Sequence, residues 1–197
     1  MPEQRNQSGL TIVELLVGMV ILGIVVTGLY NLFRVHNLMA AKQEETTRMQ
    51  QELLSVIVQM ADDIRMCGYT PNGGSFGFNS TSTDATSIFC TSDTNRNGIV
   101  DANSTDREQF AYRLSGNIIE VFEEEEGSWN STARDIDGLT LTYFNADGTA
   151  FVPTATTIDT IRFVEINATA TAAAERSSLN IPNRTMSTRV FCRNMGL

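Results

Sequence analysis

Ser8-Gly9-Leu10-Thr11-Ile12-Val13-Glu14-Leu15-Leu16-Val17 opens an apolar run that continues to Phe33. Glu14 is the only charged side chain between Leu10 and Phe33. A helix of about 20 apolar residues crosses a bilayer core of about 30 Å. A cleaved secretory signal has a shorter apolar region of about 7–15 residues and a small-residue cleavage site behind it. Here only Met39-Ala40-Ala41 offers such a site, so the run reads as retained. A plain anchor explains the length but not Glu14. A carboxylate inside an apolar span costs about 2.5–3.5 kcal/mol on the insertion scale, so it should have a partner.

After Phe33 the chain turns polar without a helix breaker. No Pro or Gly stands between Tyr30 and Met66. Leu53, Ile57, Met60 and Ile64 recur at helical spacing, and Leu54 and Ala61 widen the stripe. Gly68 supplies a C-terminal stop. One helix from about Thr11 to about Cys67 is expected, its second half amphipathic and packed on a head. Residues 70–107 are rich in Gly, Ser, Thr, Asn and Asp and read as an irregular connection. Strands are expected at Gln109–Leu114, Asn117–Phe122, Leu139–Phe144, Thr157–Ile166 and Thr188–Cys192. Residues 168–187 read as a surface loop. A helix followed by four or five antiparallel strands is an α+β fold.

The chain has 197 residues, 14 Lys+Arg, 23 Asp+Glu and a net charge of −9. Nearly all of the acidic excess lies beyond Phe33. Phosphate backbones repel such a surface, so nucleic acid is excluded as a partner. The mean hydropathy of −0.10 averages an apolar run with a polar head and describes neither.

The Gly9-Leu10-Thr11-Ile12-Val13-Glu14 segment and the long run behind it resemble the processing site of type IV prepilins and pseudopilins. Leu10 stands where phenylalanine is commonest. The resemblance implies cleavage by prepilin peptidase between Gly9 and Leu10, and N-methylation of Leu10. It implies that Glu14 meets the α-amino group of a neighbouring subunit during assembly. It implies a leader at 1–9, a transmembrane half-helix at 10–33 and an amphipathic half-helix at 34–67. The connection at 68–107 and a β-sheet head at 108–197 complete the plan.

Three further strings sharpen the subtype. Ala61-Asp62-Asp63-Ile64-Arg65-Met66-Cys67-Gly68-Tyr69 is similar to the helix end of PilW-type minor pilins. Asp137–Phe144 with Asp147-Gly148 resembles a strand and turn of PilW-type pilins and of J-type pseudopilins. Thr188–Asn194 is similar to the PilW ending. The resemblance implies a structural protein, not an enzyme, that initiates or caps pilus assembly in a tip complex. Its partners would be the major pilin, other minor pilins, the inner-membrane assembly platform, prepilin peptidase and a tip adhesin. It would sit in the inner membrane with a periplasmic head, then in a surface pilus. A J-type pseudopilin of type II secretion is the alternative, and a membrane-anchored binding module is the second.

Asp93-Thr94-Asn95-Arg96-Asn97-Gly98-Ile99-Val100-Asp101 carries oxygen groups at the spacing of a calcium loop, with Gly98 at the sharp turn. The ligand set is Asp93, Asn95, Asn97, the Ile99 carbonyl, Asp101 and Asp106. Ser104 stands where a bidentate acid is expected, and Asp106 or Glu108 would substitute for it. Few carboxylates make a weak site, about 10⁻⁴–10⁻³ M.

The cysteines are Cys67, Cys90 and Cys192. An exported head favours a disulfide and leaves one thiol over. Pairing Cys67 with Cys90 would pin the connection to the helix end; pairing Cys67 with Cys192 would tie down the C-terminus. Three buried thiols is the third outcome. The first is preferred, because the connection has no other visible restraint. Glu123–Glu126 reads as a solvated hairpin end. His36 is the only histidine, and no nucleophile partners it in the sequence.

Overall fold

A computed structural model describes residues 9, 11–101 and 105–195. Its contacts divide the chain into two units, 1–44 and 45–197. Helix α1, Ile12–Met66, contributes to both.

In the first unit the helical residues up to 40 are all exposed. This segment is long and apolar enough to cross a membrane, and none of it is buried. Lipid is the solvent in which such a surface is stable, because every backbone group of a helix is already hydrogen-bonded internally.

The second unit contains residues 45–66 of α1 and eight strands in two sheets. The first sheet has β1 (Ser87–Thr91), β2 (Gln109–Ser115), β3 (Ile118–Glu123) and β4 (Ser128–Arg134) in that spatial order. The second has β5 (Ile136–Phe144), β6 (Ala150–Phe151), β7 (Phe163–Ala170) and β8 (Arg184–Phe191), ordered β6-β5-β7-β8. Every pairing is antiparallel. The α+β expectation holds, with two four-stranded sheets where four or five strands were expected.

Alternation explains which faces are buried. In β5, Leu139, Leu141 and Tyr143 point inward; in β7, Val164, Ile166, Ala168 and Ala170 do. In the first sheet, Ile88 and Cys90 of β1 and Ile119 and Val121 of β3 are buried. Met49, Leu53, Val56, Ile57, Met60, Ala61 and Ile64 of α1 join them in one core. Each of the Val, Leu, Ile and Met side chains among them contributes about 1.5–3 kcal/mol by leaving water. Leu54 departs from expectation. It is 53% exposed, beside the exposed Val58, because its position lies off the buried stripe.

Other departures concern strands. β1 lies inside the stretch read as irregular, and β4 was not anticipated. The strand expected at 157–166 is split: residues 158–160 form a 3-10 turn, and β7 begins at Phe163 and runs to Ala170. The region 168–187 is not one loop. It holds the end of β7, the 3-10 segment Ala174–Leu179 and the start of β8.

The chain passes from the first sheet to the second through one residue. Asp135 lies between β4 and β5 with φ of 55°, a left-handed conformation that Asp tolerates better than most residues. Its carbonyl accepts the Thr171 N–H at 2.8 Å. Its carboxylate accepts from Arg48 Nη2 at 2.8 Å. Arg48 also donates to Glu45 at 2.7 and 3.2 Å and to Glu52 at 3.1 Å. Glu45 is buried, and its Oε1 accepts the Ala173 N–H at 2.9 Å.

The hydrogen bonds from Arg48 hold the Glu45 carboxyl below the usual carboxylate range, against the opposing effect of burial. Its unfolded value is near ~4.3. The stabilisation is therefore full above that pH and is lost as pH falls through the lower folded value. Glu45→Gln should lower the melting temperature at pH 7, by the equivalent of about 1–3 kcal/mol. The gap from wild type should shrink as melts are repeated below pH ~4. A gap that stays constant down to pH ~2.5 would show that the charge of Glu45 is not what matters.

Candidate functional site

The sequence points to two sites, the start of α1 and the loop before β2. At the start of α1, Gly9 is exposed, and Leu10 lies outside the described residues. Thr11 is the N-cap residue. Its hydroxyl accepts the Glu14 N–H at 3.3 Å. Glu14 Oε2 accepts from the Thr11 N–H at 3.5 Å and from the Thr11 hydroxyl at 3.3 Å. This reciprocal pattern is a capping box, spelled Thr11-x-x-Glu14 in the sequence. It turns the Glu14 carboxylate back toward the residue that follows Leu10. The bonds are long and therefore weak.

At the far end of α1, Gly68 takes φ of 75°, as the expected stop requires. Its N–H donates to the Thr91 carbonyl at 3.0 Å. Next to it, Cys67 and Cys90 form a disulfide. This joins the helix end to β1 and fixes the preferred pairing. Cys192 is free and buried. Burial pushes its thiol up to about 12.

Beyond β1 the chain enters the loop of candidate ligands. Asp93 is fully buried; its N–H donates to the Tyr69 carbonyl at 2.7 Å. Its Oδ2 accepts the Gly98 N–H at 3.2 Å. Its Oδ1 is buried and has no hydrogen-bond partner. Asp101 Oδ2 accepts from Asn95 Nδ2 at 2.8 Å and from Asn97 Nδ2 at 2.6 Å. Asn95 Nδ2 also donates to Asp106 Oδ2 at 3.3 Å. Asn95, Asn97, Asp101 and Asp106 thus converge on one point. The Ile99 N–H donates to Asn97 Oδ1 at 2.8 Å, and the Ile99 side chain is exposed. Ser104 lies outside the described residues. Arg96, with φ of 65°, is exposed, and its carbonyl accepts from Asn72 Nδ2. Among the described residues no three Asp, Glu, His or Cys side chains stand grouped at metal-binding distance. The acids here alternate with amides.

Two residues give the loop its frame. Glu108 is fully buried, and its two oxygens accept the N–H groups of Asn95 and Asp101 at 3.2 and 3.0 Å. It clips the loop shut from inside. Glu124 is also buried. Its Oε2 accepts the N–H groups of Glu108 and Gln109 at 2.6 and 2.9 Å. This corrects the reading of Glu123–Glu126 as a solvated hairpin end. Glu125 and Glu126 are exposed, but Glu124 turns inward. A run of four like residues carries no periodic signal that singles out one of them.

Known families cover most of the chain. The family model of prepilin peptidase-dependent protein B matches residues 42–191. The prokaryotic N-terminal methylation motif matches residues 4–30. The chain belongs to the prepilin peptidase-dependent protein B family. It is thus a type IV pilin-like protein, with a peptidase-processing motif ahead of its apolar helix. A solved type IV-like pilin from Thermus thermophilus shares its fold at 10% identity, with a TM-score of 0.50. That likeness covers 76% of this chain and 98% of the other. No curated protein matches the chain. The resemblance drawn from the Gly9–Glu14 segment is borne out at the level of the type IV pilin superfamily.

The cysteine arrangement is directly testable. Replacing Cys67 and Cys90 together by Ser should cost about 2–4 kcal/mol of stability, read as a lower melting temperature. Reductant should lower the wild-type melt toward the same value. Iodoacetamide at pH ~8 should leave the native protein unlabelled and alkylate Cys192 alone after denaturation without reductant. Labelling of the native chain would contradict the buried thiol.

Proposed function

We propose that this family member is a minor pilin, cut by prepilin peptidase between Gly9 and Leu10, that helps initiate or cap type IV pilus assembly. The observation that carries the reading is the Glu14 carboxylate, turned toward the processed end of an exposed apolar helix. Cleavage creates an α-amino group at Leu10, four residues from that carboxylate. In the membrane the subunit waits with Glu14 held by its own cap. The carboxylate accepts two of the cap's hydrogen bonds, at 3.5 and 3.3 Å, and at such lengths each contributes about 0.5 kcal/mol. Placing the carboxylate in the bilayer costs about 2.5–3.5 kcal/mol. Weak bonds cover only part of that. A neighbour's amino terminus covers the rest, so each apolar helix gains by packing beside another.

The head faces the periplasm in this reading. The major pilin, other minor pilins and the inner-membrane assembly platform are its partners, and a tip adhesin is a further one. A J-type pseudopilin would use the same end chemistry in a secretion piston. The PilW-like strings Ala61–Tyr69 and Thr188–Asn194 favour the pilus.

Mass spectrometry of the protein from its host should show a chain beginning at methylated Leu10; a chain beginning at Met1 would sink the reading. Glu14→Ala should leave cleavage intact and reduce incorporation into sheared pili by about tenfold or more, the factor that ~1.4 kcal/mol represents. Thr11→Val removes the hydroxyl of the cap but not the carboxylate, and should leave incorporation within about twofold of wild type. Equal loss in both variants would mean that Glu14 acts only as a cap. Deleting the gene should abolish surface pili and spare protein secretion; the reverse pattern would assign the chain to a secretion pseudopilus.

A further inference from the structure

At the loop between β1 and β2, two carboxylates are buried without a cation beside them among the described residues. Asp93 and Glu108 are fully buried, and neither pairs with a Lys or Arg among the described residues. Arg107 lies at the foot of the loop, but its guanidinium turns away to Asp63 on α1 at 3.2 Å. Arg96 is exposed and makes no ion pair with a described residue. Glu108 is satisfied, since both of its oxygens hold backbone N–H groups. Asp93 is not. One oxygen accepts from Gly98 at the loop's turn, which aims the carboxylate into the loop, and the other is buried with no partner. A buried polar atom left unmatched costs about 1–3 kcal/mol, and more when it carries charge. Such an orphan calls for a ligand.

The rest of the loop shows what that ligand is. Asp101 and Asp106 share one amide nitrogen, Asn95 Nδ2, and Asp101 also takes Asn97 Nδ2. Amide N–H groups thus meet the Asp101 carboxylate from two residues. Asn95 Oδ1 and Asn97 Oδ1 each accept one backbone N–H, from Asn97 and Ile99, and each retains a second lone pair. Carboxylates, amide oxygens and a backbone carbonyl are hard oxygen donors. No thiolate or imidazole belongs to the set, which argues against zinc. A mixed set of six on a loop suits calcium, which takes 6–8 oxygens in flexible geometry; magnesium demands a near-ideal octahedron and keeps its waters.

We propose that the loop binds one calcium ion, through the orphaned oxygen of Asp93, the side chains of Asn95, Asn97, Asp101 and Asp106, and the Ile99 carbonyl. Asp93, Asp101 and Asp106 are not grouped at metal-binding distance in this structure, so the ion draws them together, displacing the two amide groups from Asp101 and giving Asp93 its missing partner. Glu108 is a positioning residue that holds the loop backbone by two N–H groups. The ion ties the start of the loop to its end, next to the Cys67–Cys90 disulfide that ties the same region to α1. Calcium therefore fixes the segment between β1 and β2, whatever the head touches. The site does not rest on the pilus reading.

The test uses the processed full-length chain in detergent, stripped with chelator. Equilibrium dialysis against radioactive calcium should give one ion per chain with a Kd of about 10⁻⁴–10⁻³ M. Calcium at about 10 mM should raise the melting temperature by about 3–10 °C over chelator. Magnesium at the same concentration should give less than half that shift. Asp101→Asn and Asp106→Asn each alter a side chain that is not fully buried. Both should keep the chelator-state melting temperature within about 3 °C and weaken calcium binding by tenfold or more. Glu126→Gln, an exposed acid outside the loop, should bind as wild type does. No melting shift in wild type, an equal response to magnesium, or wild-type affinity in both loop variants would each overturn the proposal.

Discussion

A carboxylate taken out of water must meet N–H donors or a cation, and this requirement recurs at several points where the chain is fixed. Glu45 meets it with Arg48 and the Ala173 amide. Glu108 meets it with the amides of Asn95 and Asp101, and Glu124 with those of Glu108 and Gln109. These acids are not surface charge that happened to be covered. Each gathers backbone from a different stretch of chain, and a buried carboxylate with well-placed donors tolerates few rearrangements. Their value lies in specifying the arrangement more than in net stability, since desolvation consumes much of the gain.

Arg48 shows how one cation distributes this constraint. It stands on α1, yet it holds Asp135, the single residue between the two sheets. The core alone allows the helix to slide along its apolar stripe, because that stripe repeats every three or four residues. The ion pairs among Glu45, Arg48 and Asp135 do not repeat. They fix the register of the helix against the corner where one sheet hands over to the other. At the opposite end of the packed helix segment, the Cys67–Cys90 disulfide and the Gly68 amide on Thr91 do the same for β1.

The parts of the fold that were legible in the sequence are those with a period or a forced conformation. The apolar run, the helix stop at Gly68 and the alternation of β5 follow from local chemistry. The strands expected at Gln109–Leu114 and Asn117–Phe122, observed as β2 and β3, were legible for the same reason. The strands that escaped notice lack such signals. β4 is an edge strand, Ser-Trp-Asn-Ser-Thr-Ala-Arg, with most of its residues in contact with water, so no face reads as apolar. β1 is five residues long and is held by pairing with β2 across the whole loop, a partnership no local window contains. The candidate loop was legible because oxygen ligands repeat at every second position. Glu108 and Glu124 were not singled out as its frame, because their role depends on burial, and burial is set by the sheets.

The capping box at Thr11 and Glu14 was spelled in the sequence as Thr-x-x-Glu, yet the apolar run around it draws the eye to membrane insertion instead. The two readings are compatible. An N-cap carboxylate faces the positive end of the helix dipole, so Glu14 is stabilised where it stands. In the proposed assembly, a neighbour's amino group would compete for the same oxygen that holds the Thr11 amide and hydroxyl. At 3.3–3.5 Å those bonds are long enough to be exchanged at small cost. A strong cap would have made Glu14 a purely local residue. A weak one holds the carboxylate at the start of the helix and leaves it open to a better partner, as the proposed assembly requires.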